Sequence, residues 1–328
     1  MRVSVIIPNG NGRHLLPACL TSLRQQTYRD FQTVVVDNRS TDGSREYVRD
    51  NFPEVSLLPL AYDGVFAGTV NAGIRATRSE IVVLLNNDTE AEPNWLTELI
   101  AALDAAPRAG AAASKLLLFD RRGTLHSAGD FYALDGMPGS RGVWTQDDGR
   151  YDGDRSVFGA CAGAAAYRRA ALEDVGLFDE SLIAYCEDVD LNIRLRLAGY
   201  DCVFAPRARV YHRLSATGGG PPASYHTGRN FLTVAVKDLP APLLWRHWRR
   251  IAGRQVAIAL HSLRHAREPA ARAKLRGQLA GVRALPTTLL RRRDVTRRTR
   301  IDPAELEWWL AQADRPLGDR RPTADPAA

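Results

Sequence analysis

Two polar clusters carry residue types suited to metal-assisted transfer chemistry. The first, Asn86-Asn87-Asp88, closes the apolar run Ile81 to Leu85. Locally it reads as a strand end whose Asn and Asp cap the next helix. Chemically it offers one carboxylate, Asp88, and the neutral amide oxygen of Asn86 to Mg2+ or Mn2+, hard cations that take oxygen ligands and hold diphosphates. The second is "EDVD", with Glu187, Asp188 and Asp190 crowded beside Tyr185 and Cys186. Complementing a helix dipole needs fewer acids, and a partly desolvated carboxylate in such a cluster can take a proton from a hydroxyl. Asp37, after "TVVV", and His212, at the end of "CVFAPRARVYH", complete the set. Taken alone, Asp37 reads equally as a loop cap and His212 as a structural histidine.

The elements that must position these side chains follow from periodicity. Residues 3–7 read as a buried strand ended by Pro8, which cannot continue a ladder. Leu15, Leu16, Cys19, Leu20 and Leu23 then fall at helical spacing. Thr33 to Val36 gives a second strand, Ser44 to Asn51 a short helix, and residues 55–60 a third strand. Val70 to Thr77 reads as helix, residues 81–89 as a fourth strand, and residues 92–103 as a helix. Alternating strands and helices predict a parallel, doubly wound sheet, in which ligands sit beyond the carboxyl ends of the strands. Those ends carry Asn9, Asp37 and Asn86-Asn87-Asp88.

From about residue 110 to 158 the pattern loosens into Gly- and Asp-rich loops with short strands. "GACAGAAAY" then reads as a small-residue strand followed by a helix. Val189, Leu191, Ile193, Leu195 and Leu197 alternate with polar residues, which by period alone says strand. Leu and Arg favour helix, Gly199 suits a C-cap and the leading acids suit an N-terminus, so a helix with apolar contacts on two sides is predicted. A further strand ends at His212. After Lys237, "DLPAPLL" marks a boundary. The expected organisation is a domain over 1–240, a basic amphipathic helical region over 241–314 and a disordered tail over 315–328.

Composition narrows the classes. The chain has 328 residues and a net charge of +7. Between Leu243 and Arg300 there are sixteen Lys and Arg against two acids, a balance of +14 that leaves −7 elsewhere. No run approaches the roughly eighteen apolar residues of a membrane span, and the N-terminus lacks the long apolar stretch of a signal peptide, so a cytoplasmic protein is expected. The four cysteines show no CxxC spacing, which favours reduced thiols over a zinc site. The basic segment reads as a solvated helix surface or as an interfacial helix on the inner face of an anionic membrane. Trp245, Trp248, Leu243, Leu244 and Ile251 interleave there with Arg246, Arg249 and Arg250. No nucleic-acid motif accompanies the charge, so a nucleic-acid partner is not expected.

Taken together, "VSVIIPNGNGRHLLPACLTSLRQQTYRDFQTVVVDNRSTDGS", "FAGTVNAGIRATRSEIVVLLNNDTEAEPNWL", "VGLFDESLIAYCEDVDLNIRLRLAGYDCVFAPRARVYH" and "GRN" (Gly228 to Asn230) closely resemble family 2 glycosyltransferases. The resemblance covers about residues 1–240, and its nearest members look like bacterial rhamnosyltransferases of cell-surface polysaccharide synthesis. It implies the GT-A fold, a Rossmann-like, mostly parallel twisted sheet flanked by helices. It also implies an inverting transfer from a nucleotide-sugar, rhamnose from dTDP-rhamnose or a sugar from a UDP donor, to a saccharide or lipid-linked saccharide. By position it places Pro8 and Asn9 in the nucleotide pocket, Asp37 at the base or ribose, and Asn71 near the nucleotide and donor sugar. Asn86, Asn87 and Asp88 take the DxD position, with Asp88 contacting Mg2+ or Mn2+ and His212 completing the metal site. Asp188 becomes the general base, supported by Glu187. Gly10 departs from the larger residue usual there, and Asp63 in "AYDGVFAG" replaces an Asn; both bear on donor preference. A nucleotidyltransferase would require a Gly-rich, Lys-containing triphosphate loop, which is not evident. A non-catalytic nucleotide-sugar binder could dispense with "EDVD".

Overall fold

A computed structural model describes residues 1–214 and 219–314. The described residues form two compact units: residues 1–130, 140–183 and 200–214 make the first, and residues 131–139, 184–199 and 219–314 the second.

The first unit is built on strands β1 (Val3–Asn9), β2 (Phe31–Asp37), β3 (Ser56–Pro59), β4 (Ile81–Leu85), β5 (Thr89–Ala91), β6 (Ala109–Leu118) and β7 (Leu125–Ser127). Next along the chain come a hairpin of β8 (Asp130–Tyr132) and β9 (Pro138–Ser140), whose residues 131–139 belong to the second unit, and then β10 (Ser156–Val157), β11 (Ala164–Arg168) and β12 (Asp201–His212) of the first. Its helices are α1 (Leu16–Arg24), α2 (Ser44–Asn51), α3 (Val65–Ala76), α4 (Trp95–Asp104) and α5 (Arg169–Val175).

The main sheet runs β10-β12-β6-β11-β4-β1-β2-β3, with β5 paired to β12 and β7 to β6. Strands β3, β2, β1 and β4 are mutually parallel, as predicted, and β12 runs parallel to β6. Between them β11 is antiparallel to both neighbours, β4 and β6. Helices α1 and α4 bury Leu16, Cys19, Leu20, Leu23 and Trp95, Leu96, Leu99, Ile100, Leu103 in one core with residues of β1, β2, β4, β6, β11 and β12, and α4 packs on β6 and β12. The spacing of each set is that of a single apolar helix stripe.

Strand β6 differs from the sequence expectation. "AGAAASKLLL" lies in the stretch that reads as loops, yet all ten residues are buried in the sheet. A strand covered on both faces shows no alternation, and its alanines carry little strand preference of their own.

The second unit contains α6 (Glu187–Leu197), α7 (Gly220–Asp238), α8 (Ala241–Arg264), α9 (Pro269–Arg283), α10 (Leu285–Arg298) and α11 (Pro303–Ala311). α6 is a helix despite its period-two pattern because it is covered all round: Leu191, Ile193, Leu195 and Leu197 are buried, and so are Asp190, Asn192, Arg194 and Arg196. The buried Asp190 carboxylate is matched by Arg194 Nη2 at 2.6 Å and by the ammonium of Lys237, the pairing that a buried charge requires. α7 and α9 approach so closely that a Cβ on Gly277 would stand 2.0 Å from the Tyr225 carbonyl oxygen.

Residues 239–240, where a boundary is expected, lie between α7 and α8, both of which belong to the second unit, and the basic segment is helical through α11. The expected tail, 315–328, lies outside the described residues. On α8 the exposed face is not the one expected. Leu243 and Ile251 are buried and Leu244 is half-buried, whereas Trp245 is 81% and Trp248 49% exposed. Val256, Leu260 and Leu263 are exposed at helical intervals along the same face. Among the described residues, no helix is long and apolar enough to cross a membrane.

Candidate active site

Register brings the first polar residues together. β1 and β2 pair with Asn9 opposite Asp37, and β4 lies on the other side of β1. Asn87 Nδ2 donates to Asn9 Oδ1 at 2.8 Å, and Asn9 Nδ2 donates to Asp37 Oδ1 at 3.3 Å and to Ser40 Oγ at 3.2 Å. The second oxygen of Asp37 accepts from the Ser40 amide at 3.1 Å and from Arg45 Nε. Asp37 is therefore fully buried and ion-paired, and it organises the loop after β2. Gly12 closes this chain of contacts: a Cβ there would lie 2.2 Å from Asn87 Nδ2 and 2.4 Å from Asn9 Oδ1. Only glycine lets the backbone approach so near. Pro8, half-buried, does not end the strand as its missing amide suggests: it stands opposite Val36 within β1, which runs on to Asn9.

The next residues form a second grouping. Asp88 is 4% exposed, and β5, which follows it, pairs antiparallel with β12 so that Thr89 stands opposite His212. This pairing carries a histidine far along the chain to the strand end at Asn86-Asn87-Asp88. His212 Nε2 lies 3.2 Å from Asp88 Oδ1, yet that buried oxygen receives no hydrogen bond from the protein. The buried Oδ1 of Asn86 likewise has no partner. A carboxylate oxygen, an amide oxygen and an imidazole nitrogen left this way fit the donor set of a hard divalent cation. On its other side, His212 Nδ1 meets His126 Nδ1 at 3.1 Å. Burial, with His212 beside it, holds the His126 imidazole down to about 3, so it is neutral.

Asn71, on α3, is buried and fully engaged. Its Nδ2 donates to the Phe178 carbonyl at 2.9 Å and to Glu180 Oε1 at 2.8 Å, and its Oδ1 accepts from the Phe178 amide at 3.1 Å. It thus clamps the chain over 178–180. Asp63, in place of an Asn, accepts from Asn38 Nδ2 at 2.9 Å and from the Val65 amide at 3.0 Å at the start of α3.

Glu187 and Asp188 belong to the second unit, in the first turn of α6. The turn before them is strained: Tyr185 and Cys186 hold φ of 66° and 69°, a region costly for residues with a Cβ. Asn230 on α7 pins this turn, its Nδ2 donating to the Ala184 carbonyl at 3.0 Å and the Tyr185 carbonyl at 2.7 Å. Burial, reinforced by Asp188, raises the Glu187 carboxyl to about 8. Glu187 is therefore protonated near neutrality and adds no like charge beside Asp188. Reading the sequence alone overlooks Gly12, Arg45 and His126. Gly12 lies in a loop whose composition signals only turns, Arg45 sits at the start of α2 among other polar residues, and His126 sits in the stretch that reads as irregular. Asn230 appears there only as part of "GRN", without a role.

The family model for glycosyl transferase family 2 matches residues 4–176, more than half of the chain, and the chain belongs to that family. It is 29% identical over 293 residues to the N-acetylglucosaminyl-diphospho-decaprenol L-rhamnosyltransferase of Mycobacterium tuberculosis, covering 80% of this chain and 94% of that protein. Among solved structures, TarS 1–349 of S. aureus matches with a TM-score of 0.59 at 18% identity, over 96% of this chain and 91% of that one. The mannosyltransferase PcManGT from Pyrobaculum calidifontis, in complex with GDP-Man and Mn2+, matches with a TM-score of 0.54 at 19% identity, over 95% and 79%. The fold is GT-A, and the protein is a glycosyltransferase resembling rhamnosyltransferases.

Proposed function

We propose that this glycosyltransferase moves rhamnose from dTDP-rhamnose, with inversion, to a lipid-linked saccharide, and that it depends on a divalent cation. The carrying observation is the Asp88–His212 pair, 3.2 Å apart with no hydrogen bond to the Asp88 oxygen. The rhamnosyl donor and the lipid-linked acceptor are supported by the likeness to the mycobacterial N-acetylglucosaminyl-diphospho-decaprenol L-rhamnosyltransferase. The metal is supported by Mn2+ in the complex of PcManGT.

Asp88, His212 and the Asn86 oxygen would hold Mg2+ or Mn2+. When bound, such an ion supplies positive charge to a leaving diphosphate. Asn9, Asn87 and Asp37 keep the strand ends in one hydrogen-bonded arrangement that Pro8 closes, and this forms the floor for the nucleotide. Asn71 keeps its place by holding residues 178–180. Asp188 takes the proton of the acceptor hydroxyl, and the oxygen displaces the nucleotide in one step, which inverts the anomeric centre. Glu187, keeping its own proton, supports the ionised state of Asp188 by adding no repulsion. The basic helices serve a lipid-linked acceptor by meeting an anionic membrane surface through α8, which makes the protein peripheral on the inner face.

The test is product formation from a panel of dTDP- and UDP-sugars, with and without chelator. Asp188→Asn should abolish transfer and leave nucleotide binding intact. Asp88→Ala and His212→Ala should weaken metal dependence to a similar degree. Turnover by Asp188→Asn at the wild-type rate would remove Asp188 as the base.

A further inference from the structure

We propose that His126 is a positioning residue that fixes the tautomer of His212 and so readies His212 Nε2 as a metal ligand; the proposal rests on the metal reading above. His126 lies on β7, which pairs with β6 on the side away from β12. In that pairing Leu116 stands opposite Ser127 and Leu117 opposite Leu125, so His126 is the extra residue of a bulge. A bulge re-aims the side chain it carries, and here the ring turns towards His212, with ring centroids 4.9 Å apart and planes at 38°.

The contact is Nδ1 to Nδ1 at 3.1 Å. Two neutral imidazoles can hydrogen-bond through these atoms only if one carries the proton there and the other presents a lone pair. The Asp88 side decides which. His212 Nε2 stands 3.2 Å from Asp88 Oδ1, and that oxygen receives no hydrogen bond. A cation held between Nε2 and Asp88 Oδ1 requires the lone pair of Nε2, so in the metal-loaded site the His212 proton belongs on Nδ1, accepted by His126. A separation near 3 Å between two such atoms is that of neighbouring ligands about 2.1 Å from a shared cation. Outer partners that hold a ligating histidine in one tautomer typically change metal affinity by about 10–100-fold when lost.

The experiment measures Mn2+ affinity by calorimetry and by electron paramagnetic resonance, on the full chain with dTDP present. Wild type, His126→Leu, His126→Asn and His212→Ala are compared, with Tm recorded for each. His126→Leu should weaken Mn2+ binding by about 10–100-fold, and His126→Asn, whose Oδ1 can accept the same proton, should recover most of that loss. If His212→Ala weakens Mn2+ binding and His126→Leu does not, the role of His126 is overturned and the metal reading stands. If His212→Ala binds Mn2+ as wild type does, the metal reading itself fails. A lower Tm for His126→Leu with unchanged Mn2+ affinity means a packing role only and overturns the proposal. Should His126→Leu not fold, imidazole nitrogen NMR of the wild type with Mg2+ and dTDP added decides: the proton on His212 Nδ1 is expected, and a proton on Nε2 overturns it.

Discussion

Replacing Glu187 by Gln removes one buried carboxyl while keeping its shape. The side chain is 8% exposed, and burial first, then the neighbouring Asp188, raises its carboxyl from the ordinary 4.5 to about 8. Below 4.5 the group is protonated whether the chain is folded or not, and the folded state's preference for the proton is fully in force. As pH rises towards 8 the unfolded chain releases the proton and the folded chain keeps it, so stability falls across that window. A separation from 4.5 to about 8 corresponds to about 5 kcal/mol as an upper bound. Gln cannot ionise and escapes this loss. Urea unfolding from about pH 5 to about pH 8.5 should therefore show wild-type stability falling relative to Glu187→Gln by a few kcal/mol. If the two proteins lose stability in parallel over that range, Glu187 is not the buried, protonated acid described above.

Two further outcomes follow from the second unit. Asn230→Ala removes the donor shared by the Ala184 and Tyr185 carbonyls, a loss of about 2–4 kcal/mol for two orphaned acceptors. Its Tm should drop and kcat should fall with little change in nucleotide affinity; Asn230→Asp, which keeps the shape and lacks the donor, should behave the same way, and wild-type kcat in both would refute the clamp. Replacing Trp245 and Trp248 together with Ser should abolish sedimentation with anionic vesicles at low salt while leaving Tm within about 2 °C, since both indoles are exposed. Undiminished sedimentation would remove α8 as the contact, and self-association of the wild type lost in the variant would mark the face as an interface between copies.

Much of the first half was legible because its local signals agree. β1, β2 and β4 are apolar runs ended by polar residues, α1 and α4 carry a single stripe, and α2 spans the predicted Ser44 to Asn51. Asn9, Asp37 and Asn87 could be placed at neighbouring strand ends, since a parallel sheet aligns those ends. β6 was not legible: its burial on both faces erases the alternation that marks a strand. The exposed face of α8 was equally hidden, because which side of a basic helix is covered depends on α9 and α11, not on α8's own residues. For the same reason the sequence does not indicate that 131–139 and 184–199 join the C-terminal helices in one unit.

By itself, then, the sequence determined the α/β alternation, the strand-end polar clusters and the helical nature of α6, since propensity, capping and period are local properties. Only the tertiary structure decided which of those polar groups are spent and which are left over. Asp37 is consumed by Asn9, Ser40 and Arg45, and Asn71 by residues 178–180, whereas Asn86 Oδ1 remains without a hydrogen bond, as does Asp88 Oδ1 beside His212. The reason is physical: whether a buried lone pair is satisfied depends on atoms that long-range pairing brings to it, here β12 against β5 and β7 against β6, and no local spacing encodes them.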